Sequence, residues 1–412
     1  MNLSFYVDHT GGIRTIFLQL ADENREIHIL NTFLKIPHAE WDAEKMRPRN
    51  IYLKRYKTVN RKLDRIRIAV ARYLNEISRR KEKLSIIRVR RLIKTATGTV
   101  EQPMPERGLL SFMDQYIQSR AHLISTSTFK RYMVFFRLLE RFEGYRTKHL
   151  LLEETNASFV REFLEFGETE AYCQSTIYRT VHFVKTVLNY LEKRGVRTYA
   201  YELELPKLRT RSNIVTLSED ELIHIKKMEE PKRLQAAKDW LMISCYTGQR
   251  ISDFMNFDLG KVEILDGKKY LSFIQQKTQK NIFLPIHPAI QLIMAKNRLG
   301  FPAKLATNNY NTHIKEIARM AGINKLVKIR KWRGFRAVES YVPKWEAVSS
   351  HIGRRSFASN FYGKIPTALL MEATGHATEQ MFKRYIADIN TDRGKTLGTY
   401  LEEAYKEKFH AA

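Results

Sequence analysis

Residues 351–362 read HIGRRSFASNFY. His351 and Arg354 stand three apart, and a helix through them turns both to one face. Arginine beside histidine makes an anion site. The guanidinium offers a planar fork to phosphate oxygens, and the imidazole adds a donor whose charge changes near neutral pH. Three other stretches fit the same anion. RLQAAKDWLMISCYTG (233–248) is an apolar helix closed by Gly248, and Arg250 follows in the turn of YTGQRISD, where backbone aims its side chain. KYLSFIQQKTQKNIFLPI (269–286) is two alternating runs around QKTQKN, a β-hairpin with Lys277 near its tip and Lys280 as a rival. MEATGHA (371–377) puts His376 in a turn after Gly375, one short loop before Tyr385 in EQMFKRYIAD (379–388).

Two arginines, two histidines, a lysine and a tyrosine suit one reaction. A phosphodiester under attack gains negative charge on its non-bridging oxygens, and a preorganised donor to that charge is worth roughly 10²–10³ in rate. A phenol can attack and hold the phosphoryl group covalently, which conserves the bond for rejoining. Its unperturbed pKa of about 10 calls for a base or a strongly positive site. The leaving 5′ hydroxyl needs a proton, which a mobile lysine supplies. Neither a carboxylate cluster for paired magnesium ions nor a Gly-Lys phosphate loop stands in the sequence. Taken singly, each residue has an ordinary reading: Arg354 and Arg355 as surface charges, His376 as a core histidine, Tyr385 as a half-buried aromatic. Their joint occurrence on a very basic chain favours the catalytic one.

The chain has 412 residues and a formal charge of +27, from 71 Lys and Arg against 44 acids. That length suits two or three domains, and that charge a polyanionic partner contacted along the whole chain. With 43% hydrophobic residues the chain is globular. It has no apolar run of spanning length and no signal-peptide pattern at its start, so a cytoplasmic, nucleoid-associated protein without membrane contact is expected. Cys173 and Cys245, each inside an expected helix, read as buried thiols.

Residues 1–55 read as strands, with GGIRTIFLQL and REIHILNTFLKI alternating and PHAEWDAEK turning into irregular structure. Residues 56–95 read as one long basic helix. ATGTVEQPMPERG (96–108) is a linker. Residues 109–195 are helical, and their apolar stripes leave basic faces at Lys130, Arg137, Arg179 and Lys185. A second linker carries Lys207, Arg209 and Arg211. TLSEDELIHIKKM (216–228) opens the last part with a capping signature, Ser218 and Glu221.

TGQRISD, the hairpin lysine, SSHIGRRSFASN, LLMEATGHA and MFKRYI, in this order over about 216–390, resemble the catalytic domain of tyrosine recombinases, the lambda-integrase-like enzymes. The resemblance implies an α+β multidomain protein. It has a mostly α catalytic domain with a small sheet (216–412), a helical SAM-like core-binding domain (106–205) and a small β-rich arm-type DNA-binding domain with a coupling helix (1–95). It implies that Arg250, Lys277, His351, Arg354, His376 and Tyr385 form the active site. Tyr385 would form a 3′-phosphotyrosine bond, the arginines hold the phosphate, Lys277 act as general acid and the histidines assist. No metal and no cofactor are implied. The expected partner is double-stranded DNA at core and arm sites, bound by a tetramer with an excisionase or DNA-bending protein as accessory. Lys130, Arg137, Arg179, Lys185, Lys207, Arg209, Arg211, Lys280 and Arg355 are candidate DNA contacts. KIRKWRGFRAVESYVPKWEAV (328–348) resembles the family's basic β-ribbon, and TLGTYLEEAYKEKF (396–409) a tail helix that docks in cis or in trans. An integrase of a mobile element is the function implied. A DNA invertase shares its chemistry, and a DNA-binding regulator with an inactive site is the reading from another class.

Overall fold

The computed structural model describes residues 2–8, 12–21, 26–50, 53–98, 104–206, 214–298, 300–333, 336–386, 398–400 and 402–403. The chain divides into two compact units, residues 1–208 with 332–338, and residues 209–331 with 339–412.

The first unit opens with strands β1 (Asn2–Val7), β2 (Ile13–Ala21) and β3 (Ile27–Pro37), an antiparallel sheet in that order with a bulge between Thr15 and Phe17. Period-two alternation buries Ile16, Leu18 and Leu20 on one face. The short pair β4 (Trp41–Asp42) and β5 (Arg47–Pro48) follows, in a stretch expected to be irregular. Helix α1 (Lys54–Arg80) covers the sheet with Leu63, Ile66, Val70, Tyr73 and Ile77. The single helix expected over 56–95 is two. Lys81 adopts a left-handed conformation (φ 55°) that ends α1, and the Ser85 hydroxyl caps α2 (Ile86–Thr97) by accepting from the Arg88 N–H.

Four helices complete this unit: α3 (Leu109–Ser119), α4 (Thr126–Arg146), α5 (Ala157–Thr169) and α6 (Gln174–Glu192). Their core is rich in phenylalanine, with Phe142 ringed by Phe159, Phe163 and Phe166. Helix α1 meets α4 through buried charges. Asp64 Oδ1 accepts from Arg47 Nη2 and from Arg141 Nη1, each at 3.3 Å, and Arg141 also faces Glu170 at 3.8 Å. Gly144 makes the room, because a Cβ there would stand 2.3 Å from the Asp64 carboxyl carbon. Burial pulls the pKa of Arg47 down and that of nearby Arg67 down to about 10. The two modules expected on either side of residues 96–108 thus share a buried ion cluster. Cys173 is not inside a helix: it precedes α6 at the capping position and is only partly buried.

The second unit begins with α7 (Glu219–Lys227), whose capping box is formed by Ser218 and Glu221 as expected. Helix α8 (Lys232–Thr247) runs through the core and ends at Gly248 (φ +67°). Cys245 lies within it, and burial pushes its thiol up to about 12. A short α9 (Ile251–Phe254) leads to the antiparallel sheet of β6 (Val262–Leu265), β7 (Lys268–Ile274) and β8 (Asn281–Pro285). Helices α10 (Pro288–Lys296) and α11 (Thr307–Met320) follow. Then come the ribbon β9 (Leu326–Arg333) and β10 (Arg336–Pro343), where the strand-like insert was expected and of which residues 332–338 are counted with the first unit, and a short α12 (Lys344–Ala347). Helices α13 (Ile352–Phe361), α14 (Thr367–Thr374) and α15 (Glu379–Lys383) close the unit. Among the described residues no helix is long and apolar enough to cross a membrane. The expected tail helix lies almost wholly outside the described residues.

Candidate active site

Helix α13 carries the centre of the site. Its Gly353 lies against α8 so closely that a Cβ would stand 2.1 Å from the Ser244 hydroxyl. That approach seats the next residue, Arg354, fully buried. Arg354 Nη1 donates to the Gly248 carbonyl at 3.0 Å, and Nη2 to the Thr374 carbonyl at 2.7 Å. One guanidinium thereby ties together the ends of α8 and α14. Its Nε–H is buried without a partner among the described residues, a cost that structures tolerate where a site has a use for it. Burial, then the charge of Arg250, pulls the Arg354 pKa down to about 10, so it stays charged at neutral pH.

His376 follows Gly375, the left-handed cap of α14. Arg354 Nη2 lies 3.0 Å from its Nε2, and Thr374 Oγ1 lies 2.8 Å from its Nδ1. The Thr374 hydroxyl spends its proton on the Leu370 carbonyl at 2.6 Å. Nδ1 therefore carries the ring proton, and Nε2 offers its lone pair to the arginine. Burial, then Arg354, Arg250 and Lys280, pushes the His376 pKa down to about 3. His376 is thus neutral in the folded protein at pH values where the unfolded chain, with its ordinary pKa of about 6.5, already binds a proton. Stability falls as pH drops from about 6.5 toward 3 for that reason. Chemical denaturation at pH 7 and pH 5 should show a smaller acid loss in His376→Gln than in the parent; equal losses would contradict the assignment.

His351 precedes α13 at its capping position and is exposed. Partial burial and then Arg355, Arg354, Arg250 and Lys277 lower its pKa below the ordinary histidine value. Arg250, just before α9, is half-buried, and its Nη1 donates to Gln275 Oε1 at 3.0 Å. Tyr385 follows α15. Its ring centroid lies 4.9 Å from that of His376, and the Arg354 guanidinium carbon lies 5.4 Å from the Tyr385 ring centre. Lys277 and Lys280 are exposed in the turn between β7 and β8, the first among the charges that act on His351, the second with Nζ 3.5 Å from the His376 carbonyl.

The six residues expected to form one site are therefore gathered in one unit. Of the expected DNA contacts, Lys130, Arg137 and Arg179 are exposed, with Arg137 paired to Glu140 at 3.0 Å. Lys185 instead donates to the Leu203 carbonyl at 3.3 Å, because α6 passes the chain that follows it. Arg355 is half-buried beside His351. Lys207, Arg209 and Arg211 lie outside the described residues. Three residues of the site escaped the sequence reading. Asp253, buried, accepts from the Gln276 N–H at 2.9 Å and adds a carboxylate to the arginine cluster. Its signal was its place three residues after Arg250. Gln249 and Gln275, both fully buried, had only their places one before Arg250 and two before Lys277. Among the described residues no group of three metal-ligating side chains could hold a metal ion.

Residues 108–201 match the model of the phage integrase SAM-like domain, and residues 216–391 that of the phage integrase family. Among solved structures, the Tn1549 transposon integrase in complex with a circular intermediate DNA is similar, with 13% identity and a TM-score of 0.52 over 72% of this chain and all of that one. A lambda integrase dimer bound to a core site aligns at 17% identity and TM-score 0.49, over 67% of this chain and 94% of that one. XerH recombinase bound to difH aligns at 15% and 0.46, over 73% and 97%. No curated protein matches the sequence.

Proposed function

We propose, from the premise that this chain belongs to the phage integrase family of tyrosine recombinases, that its site cuts and rejoins DNA through Tyr385. The observation that carries the reading is the seating of the Tyr385 ring against His376 and Arg354, in the same unit as Arg250, His351 and Lys277. The Tyr385 oxygen attacks the scissile phosphorus and forms an O–P bond as the bond to the 5′ oxygen breaks. Arg250 and Arg354 hold the non-bridging oxygens and stabilise the charge that grows there. A bound phosphate oxygen would give the buried Arg354 Nε–H its partner. His351, neutral at neutral pH, accepts the phenol proton, and Lys277 delivers one to the leaving 5′ oxygen. The product is a 3′-phosphotyrosine, and a 5′ hydroxyl from a second duplex reverses the chemistry to join the new strand.

The Tn1549 integrase structure is of a protein in complex with a circular intermediate DNA. On that likeness we assign double-stranded DNA as the substrate here, with residues 106–205 and 216–412 binding the core site. Residues 1–95 bind a second, arm-type site, which favours integration and excision of a mobile element over inversion. The reaction needs two duplexes cut together, so the active assembly is a tetramer on DNA. The intact constellation speaks against an inactive regulator.

The test is covalent trapping. Full-length protein is mixed, in EDTA and without nucleotide, with nicked duplexes cut from the DNA flanking its gene. A protein–DNA adduct stable to denaturation is expected, and sequencing the trapped fragment identifies the core site. Tight DNA binding without any adduct would contradict the reading.

A further inference from the structure

The turn that carries Lys277 is fastened to the phosphate-binding arginines by one buried amide, that of Gln275. Its Oε1 accepts from Arg250 Nη1 at 3.0 Å and from the Thr278 hydroxyl at 2.6 Å. Its Nε2 donates to Gln249 Oε1 at 2.8 Å and to the Thr374 carbonyl at 3.1 Å. The orientation is forced, since Arg250 can only donate and a carbonyl can only accept. Gln249 is fixed in the same way, with its Nε2 on the carbonyls of Thr247 and Ala373. The Thr374 carbonyl also receives Arg354, so Gln275 touches Arg250 directly and Arg354 through one shared oxygen. Gly375 (φ +70°) lets this happen: a Cβ there would stand 2.5 Å from Gln275 Oε1. The backbone of the turn closes between Gln275 and Lys280, and Asp253 receives the Gln276 N–H.

We infer that Gln275 is a positioning residue for strand cleavage: it sets Arg250 and the Lys277 turn in register, so that phosphate binding and proton delivery act on the same bond. The inference rests on the recombinase reading above. Both glutamines are fully buried and have every polar atom satisfied, the condition under which a polar network rigidifies a site. A simple core role would not require the amide oxygen to face Arg250 and a side chain of the catalytic turn.

The experiment compares two nicked duplexes of the trapped core sequence in single-turnover cleavage. One has the ordinary 5′ oxygen at the scissile bond, the other sulfur in its place, a leaving group that needs no proton. Lys277→Ala should be slow on oxygen and recover on sulfur. Arg250→Lys should be slow on both. Gln275→Leu should bind DNA like the parent, cleave the oxygen substrate about a hundredfold more slowly, and recover only part of that loss on sulfur. Gln275→Glu keeps an acceptor for Arg250 but turns a second acceptor onto the Thr374 carbonyl, and should also be slow. Should Gln275→Leu fail to fold, Thr278→Val, an exposed change that removes one bond to the same oxygen, should show a smaller loss with the same partial recovery. Equal loss on both substrates, or no loss, overturns the inference. No adduct from the parent would bring down the recombinase reading itself. Tyr385-dependent cleavage with unchanged Gln275 and Thr278 variants would bring down this inference alone.

Discussion

A Tyr385→Phe protein should bind core duplex as tightly as the parent and form no covalent adduct with it. The ring is what packs against His376 and Arg354, and phenylalanine keeps it. Only the hydroxyl is lost, from a half-buried position where it acts on the Arg354 guanidinium, so stability should fall by no more than about 0.5–1.5 kcal/mol. Of the six candidate residues only Tyr385 offers an oxygen to the phosphorus, so cleavage should stop. Gel-shift titration, denaturant unfolding and denaturing gels check the three parts. A Tyr385→Phe protein that still forms adduct would place the nucleophile elsewhere.

Replacing Arg354 should cost both structure and chemistry. Its two Nη groups serve the Gly248 and Thr374 carbonyls and reach His376. Lysine cannot span them, for it is a point charge on a flexible stem. The Thr374 carbonyl keeps Gln275 Nε2 as a donor, but the Gly248 carbonyl loses its side-chain donor, which costs about 1–3 kcal/mol when buried, so Arg354→Lys should unfold at clearly lower denaturant. Cleavage should fall about 10²–10³-fold with the loss of a preorganised donor. Arg250→Lys loses a single side-chain bond, to Gln275, and should show a like fall in rate with a much smaller loss of stability. Equal stability losses in the two variants would contradict the division of labour drawn here.

What was legible in the sequence was local. The capping box at Ser218 and Glu221, the stop at Gly248 and the hairpin around Lys277 each follow from residues within a few positions of one another. The six candidate site residues stood out because their order and spacing carry a strong resemblance. Contacts made at long range were not. Asp64 meets Arg141 across 77 positions, and Gln275 meets Thr374 across 99; nothing in either neighbourhood announces the partner. Lys185 looked like a free basic residue until the Leu203 carbonyl, 18 positions on, was found to hold it. The break at Lys81 was missed because an apolar stripe continues past it. Ser85, ahead of Ile86, was the local sign of a new helix start.

Transfer of the phosphoryl group to Tyr385 is the step on which the proposed reaction turns. Its most direct test is to trap the parent on nicked core duplex, digest the DNA and the protein, and locate the residual nucleotide by mass spectrometry. A phosphoryl linkage is expected on the peptide containing Tyr385, on its tyrosine oxygen. A linkage on any other residue, Tyr362 or Ser359 included, would contradict it.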